Sequence, residues 1–372
     1  MYIKEMDNGS LYVQDKEICH RKNVPSIMNK NKTYRVRLSD KIKSQGMTST
    51  VYYYRGDSKL NIIKHSDKEY MTEQELIDSV GVQMIINKEL NMAPEVVDFF
   101  MCDNKPKQCV LVMEKVGIIS LKDHMKIIME RLVTIDKINP VCLKIYENIL
   151  HFYTAIKWCN YVMNYQLGII HGDLHCGNIQ LDLSDETTIS KIYYIDFDFS
   201  KWIYRELDKI ALKHGTEKLN LINYYNNIAN RNNLHVCKMI LDYCNELMMR
   251  LTLYNCPFGT PLEAQNSIKI TNSDDIQSSL QKIYRHYTFT SRNPICGLLV
   301  LLMNIYDLMY EQFVVAPFIM GQSNYLHNNP VTIQSHIESE MSKVWNNFTQ
   351  IYGINYEIDT NYKKLVPKND YI

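Results

Sequence analysis

A chain of 372 residues can form one large domain or two lobes, each with a buried core. At 46% hydrophobic and 22% charged residues it reads as globular and not as disordered. Lys plus Arg and Asp plus Glu balance at 41 each, so the zero net charge argues against wholesale binding to a nucleic-acid backbone.

The 10 cysteines are scattered, with no C-x-x-C pair and no metal-like spacing. This predicts reduced thiols in a cytoplasmic protein and no disulfide framework. The segment Met1 to Asp7 lacks an apolar core, so no signal peptide is expected. The longest apolar run, Gly297 to Met303, is too short for a bilayer and reads as a buried helix, so no membrane span is expected. Only 13 Gly beside 27 Tyr and many Asn, Ile and Lys point to an AT-rich genome, compatible with a virus.

Residues 1–34 are polar and irregular, with Pro25 and the run Asn29-Lys30-Asn31-Lys32, and read as an N-terminal extension. Strand-like segments follow at Tyr34 to Ile42, Val51 to Arg55 and Leu60 to His65, with Gly56-Asp57 as a turn. Apolar residues Leu76, Ile77, Val80, Met84, Ile85 and Leu90 recur at three- and four-residue spacing, which predicts a helix over 73–90 ended before Pro94. Strands are predicted at 96–100 and 108–116, the second ending at Gly117. From Ser120 the texture turns helical, with helices expected at 122–132, 141–165, 206–254, 276–287, 294–315 and 333–352. A strand over 192–195 and a turn at Ser184-Asp185-Glu186 interrupt them.

Two motifs carry the chemistry. The first is His171-Gly172-Asp173-Leu174-His175-Cys176-Gly177-Asn178, with Asn five residues after Asp. The second is Asp196-Phe197-Asp198-Phe199-Ser200, behind the apolar strand. Together they resemble the protein kinase-like superfamily. The likeness is greatest to its atypical branch, which includes large-DNA-virus Ser/Thr kinases and aminoglycoside- or choline-kinase-like phosphotransferases. It covers about residues 35–205 and is carried beyond them only as a helical lobe.

The resemblance implies an α+β, two-lobed kinase-like fold. Residues 35–116 would be a small antiparallel N-lobe with one helix. Residues 117–372 would be a large helical C-lobe holding the catalytic loop 171–178 and the metal-binding segment 194–200. It implies ATP and Mg²⁺ as cofactors. Asp173 would accept or orient the acceptor hydroxyl proton, and Asn178 and Asp196 would be the metal ligands. His171 would brace the loop.

Other parts follow by position. Ser44 to Val51 matches the spacing of a G-x-G-x-x-G-x-V phosphate loop, with Ser44, Gly46 and Ser49 at the glycine places. Lys64 comes 13 residues after Val51, on Asn61-Ile62-Ile63-Lys64, and takes the place of the phosphate-pairing lysine. Its carboxylate partner is open among Glu73, Glu75 and Asp78, with Glu75 favoured because it shares a face with Ser79 and Val82. Met113 would sit behind the adenine, whose edge would meet the backbone of Glu114 and Val116.

Three departures narrow the class. Gly172 replaces the Arg of H-R-D, which leaves no anchor there for a phosphorylated loop. His175 stands where Ser/Thr protein kinases carry Lys, as in aminoglycoside- and choline-kinase-like enzymes. Asp198 replaces the Gly of D-F-G and adds a carboxylate beside the metals, while the D-F-D-F-S run is similar to that of poxvirus-type kinases. The expected function is an atypical, viral-type protein Ser/Thr kinase, acting on a protein in the host cytoplasm or virion. The alternatives are a kinase for a small alcohol and an ATP-binding pseudokinase scaffold.

Overall fold

The structure is a computed structural model. It describes residues 9–22, 32–42, 49–55, 60–67, 71–103, 108–202, 239–240, 242–244, 246–247, 294–314 and 330–358. They form a mixed α+β protein with antiparallel sheets and several helices. The chain divides into two compact units, one of residues 1–116 and 193–201 and the other of residues 117–192 and 202–372.

In the first unit β1 (Ser10–Val13) and β2 (Lys16–His20) form a hairpin, and β3 (Tyr34–Val36) pairs with β1 in parallel. The hairpin turns on Gln14 and Asp15, both at positive φ (48° and 63°), as a two-residue turn that matches strand twist requires. Residues 10–20, read from sequence as part of an irregular extension, therefore supply two strands of a sheet in this unit. Leu11, Cys19 and Tyr34 are fully buried. The strand expected over Tyr34 to Ile42 is broken. After β3 a 3-10 turn at Leu38–Asp40 intervenes, where the Asp40 carboxylate accepts from the Arg37 N–H at 2.9 Å, and β4 (Lys41–Ile42) joins a different sheet.

That second sheet has five strands in the order β4-β5-β6-β8-β7, with β5 (Ser49–Arg55), β6 (Leu60–Asp67), β7 (Val96–Met101) and β8 (Gln108–Glu114). Side chains alternate across it. Ile63, Phe100, Val110 and Val112 join Leu11, Tyr34 and Val36 in one apolar cluster. Phe99, Met101, Cys109 and Leu111 join Leu76 and Val80 of helix α1 (Glu73–Leu90) in another. Burial on both faces explains why β7 and β8 read as near-continuous apolar runs. Thr72 and Glu75 close a capping box at the start of α1, and Asn91 ends it in the left-handed region (φ 51°).

Two linkages tie the N-terminal sheet down. Buried Arg21 donates to Asp98 at 2.6 Å, Tyr34 donates to the same oxygen at 2.9 Å, and the guanidinium lies 4.2 Å from the Phe100 ring centre. Cys19 and Cys102 form a disulfide. This corrects the expectation of reduced thiols throughout: the pair is distant in sequence, and only packing of β2 beside β7 and β8 brings it together. Among the described residues Cys109, Cys142, Cys159, Cys176, Cys244 and Cys296 stand outside any disulfide.

In the second unit β9 (Ile119–Ser120) leads into α2 (Leu121–Val133), then α3 (Pro140–Tyr161). Asn139 caps α3 by accepting from the N–H groups of Val141 and Cys142, and Pro140 occupies the first helical position. The predicted helix over 141–165 ends in a π-helical turn at Val162–Gln166. The chain then runs through β10 (Ile169–Ile170), β11 (Ile179–Leu183) and β12 (Ile189–Tyr194), with a sheet order β12-β11-β9. Helices α4 (Pro294–Val314) and α5 (Pro330–Tyr352) pack on α3, where Phe348 meets Tyr146 edge-on at 5.3 Å between ring centres. Leu298 to Leu302 are fully buried, as expected of that run. Among the described residues no helix is long and apolar enough to cross a membrane. The turn at Gly56-Asp57, the helix expected at 276–287 and nearly all of that expected at 206–254 lie outside the described residues.

Candidate active site

Lys64 is centred on β6, paired with Val51 of β5 on one side and Leu111 of β8 on the other. The residue is 8% exposed, so its ammonium needs counter-charge. Two carboxylates supply it: Lys64 Nζ donates to Asp196 Oδ1 at 2.6 Å and to Asp198 Oδ2 at 2.8 Å. Burial opposes the charged lysine, but Asp198 and Asp196 outweigh it and hold its pKa above the usual lysine range. Burial pushes the Asp196 carboxyl up, Lys64 pulls it down and the neighbouring Asp198 pushes it up again; the net direction is upward.

Backbone geometry makes this meeting possible. Asp196 follows β12 in the left-handed region (φ 65°, ψ 64°), a conformation that costs a non-glycine residue energy and gathers at functional sites. A 3-10 turn at Phe197–Phe199 follows and returns Asp198 to the same ammonium. A cavity of about 20 Å³ adjoins the three charged groups, lined also by Ser79, Gln83, Met113 and Phe197. It has room for a water and not for a nucleobase.

Of the other predicted nucleotide residues, Ser49 and Val51 lie on β5 and Met113 and Glu114 on β8, with Val116 just beyond. The Ser49 and Ser66 hydroxyls bond at 2.8 Å. The Glu114 N–H donates to the Glu95 carbonyl at 2.9 Å and is therefore committed within the sheet edge. Ser44 and Gly46 lie outside the described residues. Glu75, favoured from sequence as the partner of Lys64, is not: it accepts from Lys201 Nζ at 3.0 Å. Its place in the first turn of α1 commits it to the capping box.

No protein-family model matches the chain, and no curated protein matches it in sequence. The case for a function rests on geometry and motif alone.

The second unit holds the loop 171–178. Asn178 Nδ2 donates to the Asp173 carbonyl at 2.9 Å and lies 3.4 Å from its carboxylate. The amide nitrogen is thus turned to Asp173, and Oδ1 is the atom of that side chain able to ligate a hard cation. His171 is fully buried, and its Nδ1 accepts from the Asp173 N–H at 3.4 Å. His175 Nδ1 accepts from the Gly177 N–H at 3.0 Å, so a neutral ring carries its proton on Nε2, 3.8 Å from Asp173 Oδ2. Gly172, at φ 83°, occupies backbone that a larger residue adopts only with strain.

Sequence reasoning missed the role of Asp198 as a lysine partner. It read this extra carboxylate as an addition to the metal site. The signal was available, since no acidic residue of α1 falls at the usual distance before Pro94.

Proposed function

We propose that the chain is an ATP- and Mg²⁺-dependent phosphotransferase of protein kinase-like fold, acting as an atypical, viral-type protein Ser/Thr kinase. The observation that carries this reading is the meeting of Lys64 with Asp196 at 2.6 Å across 132 residues of sequence. The two were singled out by separate motifs, and a chance pair of sequence matches has no reason to converge on one part-buried contact.

Phosphoryl transfer asks a protein for positioning and charge neutralisation more than for covalent chemistry. Lys64 grips phosphate oxygens as a point charge. Asp173 takes or orients the proton of the acceptor hydroxyl, held in place by the Asn178 amide and by His171 beneath it. Each proposed ligand suits Mg²⁺ by its own chemistry, since Asn178 Oδ1 in the second unit and the Asp196 carboxylate in the first are hard oxygens. Among the described residues no group of three or more His, Cys, Asp or Glu builds a complete cage, and Mg²⁺ characteristically completes its shell with water and substrate phosphate. When bound, the metal would neutralise phosphate charge.

One observation favours a second acceptor class. His175 beside Asp173, in place of a lysine, accords with a small-alcohol kinase. The full chain should be incubated with γ-labelled ATP and Mg²⁺ against mixed proteins and, separately, amino alcohols and aminoglycosides. Label on serine or threonine is the expected result, and label only on small alcohols moves the assignment to the second class. ATP binding without transfer to any acceptor makes the chain a pseudokinase scaffold.

A further inference from the structure

Helix α1 carries four acidic residues, and each has a partner other than Lys64. Glu73 accepts from Lys22 at 2.8 Å, Glu75 from Lys201 at 3.0 Å and Asp78 from Gln74 at 2.8 Å, while Glu89 lies 3.5 Å from Lys88. The face of α1 that lines the cavity beside Lys64 presents Leu76, Ser79, Val80 and Gln83, none of them charged. Among the described residues the counter-charge for the buried lysine comes from the turn after β12.

The two carboxylates of that turn are not equivalent. Asp196 keeps 40% of its side chain exposed, whereas Asp198 keeps 15%. The open one suits a shared role with a cation, and the more enclosed one accepts from the lysine at 2.8 Å. We propose that Asp198 is the positioning residue for Lys64, replacing the helix-borne glutamate expected in this class. This rests on the phosphotransferase reading and deepens it. Lys64 is then oriented by its own strand and by the 196–198 turn, so displacement of α1 does not remove its counter-charge.

A double-mutant cycle on the full chain tests the inference, with Lys64→Ala, Asp198→Asn and the combination. Asp198→Asn preserves shape, and Asp198→Glu serves as the conservative rescue. Binding of a fluorescent ATP analogue with Mg²⁺ is measured beside the nucleotide-free melting temperature. Asp198→Asn should weaken binding at least about tenfold and Asp198→Glu appreciably less, given the worth of a hydrogen bond to a charged group. In the Lys64→Ala background, Asp198→Asn should cost little more, because the group it positions is already gone. Additive losses overturn the proposal, since they make Asp198 an independent ligand of nucleotide or metal. If wild type binds no nucleotide, the phosphotransferase reading falls by itself. The melting temperatures then decide the pairing: coupled shifts uphold Asp198 as the residue that holds Lys64, and additive shifts overturn it.

Discussion

Glu75 lies 3.0 Å from the ammonium of Lys201 and, through its other oxygen, accepts from the backbone N–H of Thr72 at 3.0 Å. Both partners draw its pKa down, the Thr72 backbone most. A residue so engaged is a helix cap and a tether for Lys201. Glu75→Ala should therefore lower stability by about 1 kcal/mol, the usual worth of a cap. It should leave KM for ATP within about twofold of wild type, the scatter expected for a residue outside the phosphate contacts. Thermal melts and steady-state kinetics check this, and a KM rise matching that of Asp198→Asn would restore Glu75 as the partner of Lys64.

Asp173 and Asp196 should fail differently. Asp173→Ala removes the proposed hydroxyl-facing group and, on the phosphotransferase proposal, should cut turnover by ~10²–10⁴-fold while nucleotide binding persists. Asp196→Ala should impair both, because that carboxylate contacts Lys64 at 2.6 Å and is the proposed metal ligand. Calorimetry with a non-hydrolysable ATP analogue separates binding from turnover. Near-normal turnover by Asp173→Ala with every acceptor would remove the residue from the chemistry.

The regular parts of this fold were legible because their sequences are locally consistent. Helix α1 announced itself by apolar spacing and by Pro94 beyond its end, and β7 and β8 by apolar runs that burial on both faces demands. The N-terminal hairpin was not legible. Its strands are short and its turn uses Gln14 and Asp15 at positive φ, without the Asn-Gly signal that usually marks such turns. The Cys19–Cys102 bond is likewise a product of tertiary packing. At the site, spacing singled out Lys64 and Asp196, but the lysine's second partner depended on a left-handed residue and a 3-10 turn.

Stability should rise between pH 4 and pH 6.5, in part through His124. The residue is 1% exposed in the second unit, where burial lowers its pKa to about 4 against a partial lift from the Thr187 backbone. Between the folded pKa and the ordinary value of 6.5 the unfolded chain binds a proton that the folded chain does not, so stability falls as pH falls. The full effect is on the order of 3 kcal/mol, reached below the folded pKa. Denaturant melts across this range should flatten in His124→Leu; an unchanged slope would place the ring in a polar setting.

Two glycines should respond to alanine with opposite signs. Gly117 has φ 65°, and an added Cβ would lie 2.5 Å from Gln180 Cβ and 3.1 Å from the Leu181 nitrogen. Gly117→Ala should destabilise by about 1–3 kcal/mol from backbone strain and the clash. Gly81 lies inside α1 with nothing within 4 Å of a built Cβ, so Gly81→Ala should stabilise by roughly 0.5–1 kcal/mol. Equal responses in chemical denaturation would contradict the left-handed assignment at Gly117.

The bond between Cys19 and Cys102 closes a loop with a sequence separation of 83 residues. Among the described residues this one cross-link makes a covalent ring with a tail on either side. The ring carries Val51, Lys64 and the whole of α1, while Met113, Asp173 and Asp196 are strung on the longer tail. A protease that cuts once inside the ring opens it without releasing anything, so the pieces should separate on a denaturing gel only after reduction. By the same closure the unfolded chain is denied much of its freedom, on the order of 4–5 kcal/mol for a loop of this size. Treatment with a thiol should then lower the melting temperature of the first unit with every residue of the Lys64 cluster still in place. Gain and loss of this one bond would thus tune how long the first unit survives, independently of what the Lys64 cluster does.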